Sequence, residues 1–164
     1  MEKTMQDVVF DVADKKDIDE LVRLRIAYIL EDFGPISEDE KKNMEERLPE
    51  YFERRLGKEI VAFVARAEER LVASVLLLIV EKPMNPNIPN GLCGDVLSVY
   101  TEEAYRGHGI CSTLMKNMVD YAKKEGLSRV TLSATKDGYP VYKKVGFVER
   151  VSKYTDMTLP LREE

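Results

Sequence analysis

The chain has 164 residues, 44% hydrophobic and 34% charged, with a net charge of −5. That length fits one domain with a continuous core over 1–164, and the acidic balance argues against nonspecific nucleic-acid binding. The two cysteines, Cys93 and Cys111, make no disulfide framework. The longest apolar run, Leu71 to Val80 interrupted by Ser74, falls short of the roughly 20 residues a membrane span needs.

Val8 to Val12 alternates apolar and polar residues and reads as a first strand. Asp14 is positioned as the N-cap of a helix whose apolar residues Ile18, Leu21, Val22, Leu24 and Tyr28 fall mainly on one face. Gly34-Pro35 breaks that helix, and Ser37 with Glu40 is a capping-box signature for the next. Met44, Leu48, Tyr51, Phe52 and Leu56 give the second helix an apolar stripe, Pro49 should kink or divide it, and Gly57 should stop it. Between Glu31 and Glu53 there are nine acidic residues against three basic ones, which reads as a solvated helix surface or as a field that attracts a cation. Ile60–Arg66 and Leu71–Val80 read as two strands joined by a turn at Glu68-Glu69, the second strand buried on both faces. Lys82 to Gly91 carries three prolines and reads as an ordered loop, either a substrate-side lid or a connection. The remainder reads as a strand over Asp95–Tyr100 and a helix from Ile110 stopped by Gly126. A strand over Arg129–Ala134, a short helix over Tyr139–Val145 and a last strand over Lys153–Leu161 complete it. No basic N-region followed by an apolar stretch opens the chain, so a cytoplasmic, reduced protein with no membrane partner is expected. The apolar last strand allows a homodimer.

Two segments carry the chemistry. Arg106-Gly107-His108-Gly109-Ile110-Cys111 lies where a strand runs through a glycine turn into a helix. Main-chain N–H groups at such a turn have no intrahelical partner, the helix dipole adds partial positive charge, and glycine lets the backbone come close to a phosphate. Arg106 can add a charge-assisted contact. The second segment is Ala134 to Phe147, one βα unit further on, ending Tyr142-Lys143-Lys144-Val145-Gly146-Phe147.

Together these segments resemble the GCN5-related N-acetyltransferase (GNAT) family, whose members transfer an acyl group from acyl-CoA, usually to an amine. The family's pyrophosphate motif reads Arg/Gln-x-x-Gly-x-Gly/Ala. Arg106 and Gly109 fill its first two defined places, and Cys111 stands where Gly or Ala is usual. The run ending in Phe147 is similar to the family's Leu-Tyr-x-Lys-x-Gly-Phe signature, with Val141 in place of Leu. The resemblance is strong from Leu92 to Leu161 and keeps the same order before that.

It implies an α/β (α+β) fold: a mixed, mostly antiparallel central sheet flanked by helices and splayed at the parallel pair of central strands. It also implies acetyl-CoA as donor, with CoA as product and no metal. Arg106 and the amides of Gly107, His108, Gly109, Ile110 and Cys111 would take the pyrophosphate. The main chain of Leu97 and Val99 would take the pantetheine arm, and the amide of Val99 or Tyr100 would serve as an oxyanion donor. Tyr142 would protonate the departing thiolate. Asp95, the acid on the central strand, is a candidate base for the acceptor amine, though capping or a salt bridge explains it equally. Cys111 with His108 as a ping-pong pair lacks a third residue to orient the histidine, so direct transfer in a ternary complex is the better expectation. Tyr28, Glu31, Asp32, Tyr51 and Tyr154 are expected to line an acceptor cleft suited to a cationic primary amine of a small molecule or peptide. The alternative is a non-catalytic acyl-CoA-binding regulatory module. A nucleotide-binding protein fits least, because no Lys followed by Ser/Thr comes after the glycines.

Overall fold

A computed structural model describes residues 7–162. The β1 strand (Val9–Val12) leads to Asp14, whose side chain accepts from the Lys16 amide while Asp17 accepts from the Asp14 amide. This reciprocal cap closes a single 3-10 turn, Lys15–Asp17, from which α1 (Ile18–Phe33) grows. Gly34, at φ 83°, ends α1 in a conformation that a side chain would resist. The Ser37–Glu40 capping box forms as expected and starts α2 (Glu38–Arg55). Pro49 sits inside α2 without dividing it. The carbonyl that loses its partner belongs to Glu45, on an exposed stretch where water can serve instead.

The β2 strand (Ile60–Ala67) and β3 (Arg70–Glu81) form a hairpin through Glu68 and Glu69, both at positive φ, as a two-residue turn with matching twist requires. After the proline loop come β4 (Leu92–Thr101), α3 (Ile110–Lys124), β5 (Arg129–Thr131) and α4 (Tyr139–Val145). The sheet order is β1-β2-β3-β4-β5, antiparallel throughout except for the parallel β4–β5 pair. One face carries a core built on Leu21, Leu24, Phe52 and Leu76 under α1 and α2. The other carries Leu77, Ile110, Leu114, Met115, Met118 and Tyr142 under α3 and α4. Residues 71–77 are fully buried because alternate side chains enter each core. Across the α1–β2 edge, Arg66 donates two 2.7 Å bonds to the Asp17 carboxylate and holds its pKa below the usual range. No helix among the described residues is long and apolar enough to cross a membrane.

Two departures from the sequence expectations, and one alternative they left open, bear on the site. The β5 strand ends at Thr131 rather than Ala134, and the chain beyond it leaves the ladder. The proline loop is a connection, not a lid. Ile88 is buried as its anchor, and the Asn90 side chain bonds Gly126 O and Ser128 Oγ, which ties the loop to the α3–β5 turn. The last strand expected over Lys153–Leu161 does not form; the segment is irregular and exposed. Its Met157, Leu159 and Leu161 alternate as a strand would, but alternation specifies a conformation and not a partner edge. The neighbouring β5 offers a ladder of only three residues, and Pro160 has no N–H to give.

Candidate active site

The site is built where β4 loses its neighbour. Its pairing with β5 stops at Asp95↔Thr131, so residues 96–101 run on without a partner on that side. On the β3 side the register slips: Leu76 faces Leu97 but Ser74 faces Tyr100, which puts Ser98 and Val99 opposite Val75 alone. Ser98 takes φ 56° in this bulge although it is buried. A bulge re-aims the strand, and a non-glycine residue held at positive φ is a local strain kept for a purpose. Beyond it the strand opens into a cavity of about 590 Å³.

One wall of the cavity is the loop into α3. Gly107 and Gly109 take φ 81° and 77°. A Cβ at either would meet no atom within 4 Å, so it is backbone conformation and not space that asks for glycine here. With Gly109 as the N-cap, α3 begins at Ile110, and Thr113 closes its first turn by bonding Gly109 O from both its amide and its hydroxyl. Among the described residues, the amides from Gly107 to Ser112 have no hydrogen-bond acceptor. Six adjacent donors at the positive end of a 15-residue helix make an anion cradle.

Arg106 stands at the entrance. Its Nε donates to Thr101 O at 2.8 Å, its Nη2 lies 2.6 Å from Glu31 Oε2 at the end of α1, and its guanidinium sits over the Tyr100 ring at 5.6 Å. Glu31 raises its pKa, so its charge is fixed.

Tyr142 lies opposite, on α4. Its backbone is tied at both ends, the amide bonding Gly138 O and the carbonyl accepting from Gly146 and Phe147. Its ring packs edge-on to Phe147 and rests on Gly138. An added Cβ at Gly138 would lie 2.7 to 2.9 Å from the ring and hydroxyl oxygen, so a side chain here would push the phenol out of its place. The side chain lines the cavity. Burial, with Cys111 and Tyr28 nearby, pushes the phenol up to about 12. Burial also pushes the Cys111 thiol up, which keeps that sulfur protonated.

Of the residues singled out from sequence, Val99, Arg106, Gly107, Gly109, Ile110, Cys111 and Tyr142 line this one cavity, together with Tyr28, Glu31 and Asp32. The rest lie elsewhere. The Leu97 side chain packs against the α1–α2 core, as expected of a residue singled out for its main chain, which lies in the stretch of β4 unpaired past Asp95; His108 is half-buried in the loop without lining the cavity. Asp95 lies back in the β4–β5 ladder, where its carboxylate accepts from Thr131 Oγ1 at 3.1 Å. Tyr51 packs edge-on to Phe52 with Arg55 over its ring, and Tyr154 lines a second cavity beside Asn85–Asn87. Three contributors carried little or no signal. Gly138, four residues before Tyr142, was legible in principle as a small residue under an aromatic one helical turn on. The Ser98 bulge has no signature, and Glu31 shows nothing of its bond to a residue 75 positions away.

The fold recurs in known proteins. The chain resembles a predicted acetyltransferase from Clostridium acetobutylicum solved with acetyl-CoA, at a TM-score of 0.80 and 26% identity over 92% of this chain and 96% of that one. It shares the fold of a GCN5-related N-acetyltransferase from Ralstonia eutropha JMP134 at a TM-score of 0.77 and 22% identity, covering 94% and 98% of the two chains. In sequence it is 31% identical over 99 residues to a probable glucosamine 6-phosphate N-acetyltransferase 2 of Oryza sativa subsp. japonica, a match that spans 58% of each chain. Residues 24–147 match the acetyltransferase (GNAT) family as a whole, with the splayed strand and the amide cradle inside that span. The chain belongs to the GNAT acetyltransferase family.

Proposed function

We propose that this protein is an acetyl-CoA-dependent N-acetyltransferase that passes an acetyl group directly to a primary amine of a small molecule or peptide. The observation that carries the reading is the row of unpartnered amides from Gly107 to Ser112, opening with Arg106 onto the cavity that Tyr142 lines. A pyrophosphate matches that row in charge and in its need for several donors. A pantetheine arm is rich in amides and fits the stretch of β4 left unpaired past Asp95, with the main chain at Leu97 and Val99 as its partners.

Acetyl-CoA supplies an activated thioester carbonyl. The amide at Val99 or Tyr100, re-aimed by the bulge, donates to the carbonyl oxygen as negative charge gathers there. When the amine nitrogen bonds the carbonyl carbon and the carbon–sulfur bond breaks, the sulfur keeps the electron pair. Tyr142 then donates its hydroxyl proton to that sulfur. A phenol near 12 is a weak acid in water, yet the same burial that raises it raises a thiolate too, as neighbouring Cys111 demonstrates. The two proton affinities therefore rise together. The amine's surplus proton leaves to water, with the carboxylates of Glu31 and Asp32 at the rim. Asp95 would act on it only through intervening water.

Calorimetric titration with acetyl-CoA and with CoA tests the donor reading. We expect micromolar binding that Gly109→Glu abolishes, since it sets a carboxylate in the cradle. No binding by the intact protein would overturn it. With an acceptor found by screening amines, Tyr142→Phe should lower kcat about 10²-fold or more and leave the acetyl-CoA KM unchanged. Because the raised phenol stays protonated, that factor should be the same from pH 7 to pH 10. Binding with no turnover on any amine would favour the regulatory module instead.

A further inference from the structure

In this structure the best cation for the donor's phosphates is already occupied. Arg106 has three partners: a strand-end carbonyl, an aromatic face, and the carboxylate of Glu31 reaching over from α1. The Glu31 contact differs from the other two. Thr101 and Tyr100 belong to β4, next to Arg106 in sequence, and orient the guanidinium without competing for an anion. Glu31 comes from another element and sets one carboxylate oxygen 2.6 Å from Nη2, so it occupies an N–H edge that a phosphate could otherwise use. Both side chains are about half exposed, 44% and 53%, so the pair is held by charge and not by packing. Glu31 also has a neighbourhood to return to, because Tyr28 and Asp32, on the same turns of α1, line the same cavity.

We infer that Glu31 is a positioning residue, a latch that holds Arg106 until the donor's pyrophosphate displaces it, and that its release completes the anionic wall facing the acceptor. The inference rests on acetyl-CoA occupying the cradle. It implies an order. Before the donor binds, the Glu31 charge is neutralised by Arg106 and attracts a cationic amine weakly. Afterwards Arg106 serves the phosphates, and Glu31 and Asp32 together present two negative charges at the cavity rim. The substrate class that benefits is a cationic amine, and binding with donor first is the consequence.

The experiment is a double-mutant cycle read by CoA titration at low ionic strength, using the intact protein, Glu31→Gln, Arg106→Gln and the double variant. Both positions altered carry exposed side chains, and the circular dichroism of each variant controls for folding. If Glu31 is a latch, Glu31→Gln tightens CoA binding about three- to ten-fold, and the gain disappears in the Arg106→Gln background. Equal tightening in both backgrounds would mean that Glu31 only repels the phosphates through space, and the latch would be wrong. Unchanged or weaker CoA binding by Glu31→Gln would overturn it as well. Binding of CoA by none of the four would instead remove the donor reading, and the latch with it. In turnover the same variant should lower the acetyl-CoA KM while raising that of a cationic acceptor. A merely structural role would not move the two in opposite directions.

Discussion

The two sides of the cavity are built from different materials. The proposed donor side is main chain: a bulged strand, six free amides and two glycines at positive φ, with Arg106 beside them. The proposed acceptor side is side chain: Tyr28, Glu31 and Asp32 on the last turns of a regular helix. Tyr28 donates to Asp32 across one turn at 3.4 Å, and burial raises its phenol. A wall of amides recognises a chemical group common to every acyl-CoA, and its cost of change is high because the backbone itself must move. A wall of exposed side chains on a helix can be rewritten one residue at a time without disturbing the fold. On the proposed reading, the part of the reaction common to every acyl-CoA falls to the rigid side, and choice of acceptor to the adjustable one.

The largest effect that would sharpen this contrast is expected at Ser112. It is exposed, lines the cavity and is the third residue of α3. A glutamate there suits a helix N-terminus, where a carboxylate is worth about 0.3–1 kcal/mol. Ser112→Glu should therefore leave the melting temperature unchanged or slightly raised while weakening CoA binding about 10- to 100-fold, as its carboxylate fills the anion cradle. Stability and binding moving in opposite directions would confirm that the amides bind the ligand and do not merely begin a helix. Full-strength CoA binding by this variant would place the phosphates elsewhere.

A smaller effect should follow from Gly138→Ala. The new methyl would press on the Tyr142 ring, and the ring must tilt because α4 is pinned by Gly138, Gly146 and Phe147. We expect kcat to fall about ten-fold, since a displacement of a fraction of an ångström is costly at a reacting centre. Overpacking of this kind costs about 1–3 kcal/mol of stability. The CoA dissociation constant should hold, because Gly138 touches the tyrosine and not the cradle. A change in CoA binding without a change in kcat would mean that Tyr142 shapes the donor pocket and does not meet the leaving group.

The contrast also accounts for what could be read from the sequence. A backbone cradle needs glycines at fixed spacing, so Gly107 and Gly109 announce it. A tyrosine held by a short helix brings its own local signature in Lys144, Gly146 and Phe147. Capping at Ser37 and the stop at Gly57 were legible for the same reason: each is settled by a few adjacent residues. The splay was legible only through resemblance, since a strand does not declare where its neighbour will leave it. Ser98 carries no sign of its bulge, because the register of two strands is decided between Ser74 and Leu76 on the other side of a hairpin. The expected strand at Lys153–Leu161 failed in the same way: its pattern fitted, and its partner edge was missing. The bond from Glu31 to Arg106 joins elements that only folding brings together.

The smallest expected effect is the most direct test of the acceptor wall. Asp32 lines the cavity on α1, and unlike Glu31 it makes no contact with Arg106. Asp32→Asn keeps the side chain's size and its ability to accept from Tyr28 while removing the charge. An exposed charge interaction is worth about 0.2–1 kcal/mol, so the KM of a cationic acceptor should rise roughly two- to five-fold. The effect should shrink as salt is added, because the carboxylate acts through solvent. CoA binding and kcat should not change. If instead the CoA dissociation constant shifts while the acceptor KM stays fixed, α1 belongs to the donor side and the division of labour between main chain and side chain is wrong. If neither shifts, the acceptor reaches Tyr142 from another direction, and Tyr28 rather than the carboxylates becomes the residue of α1 to vary.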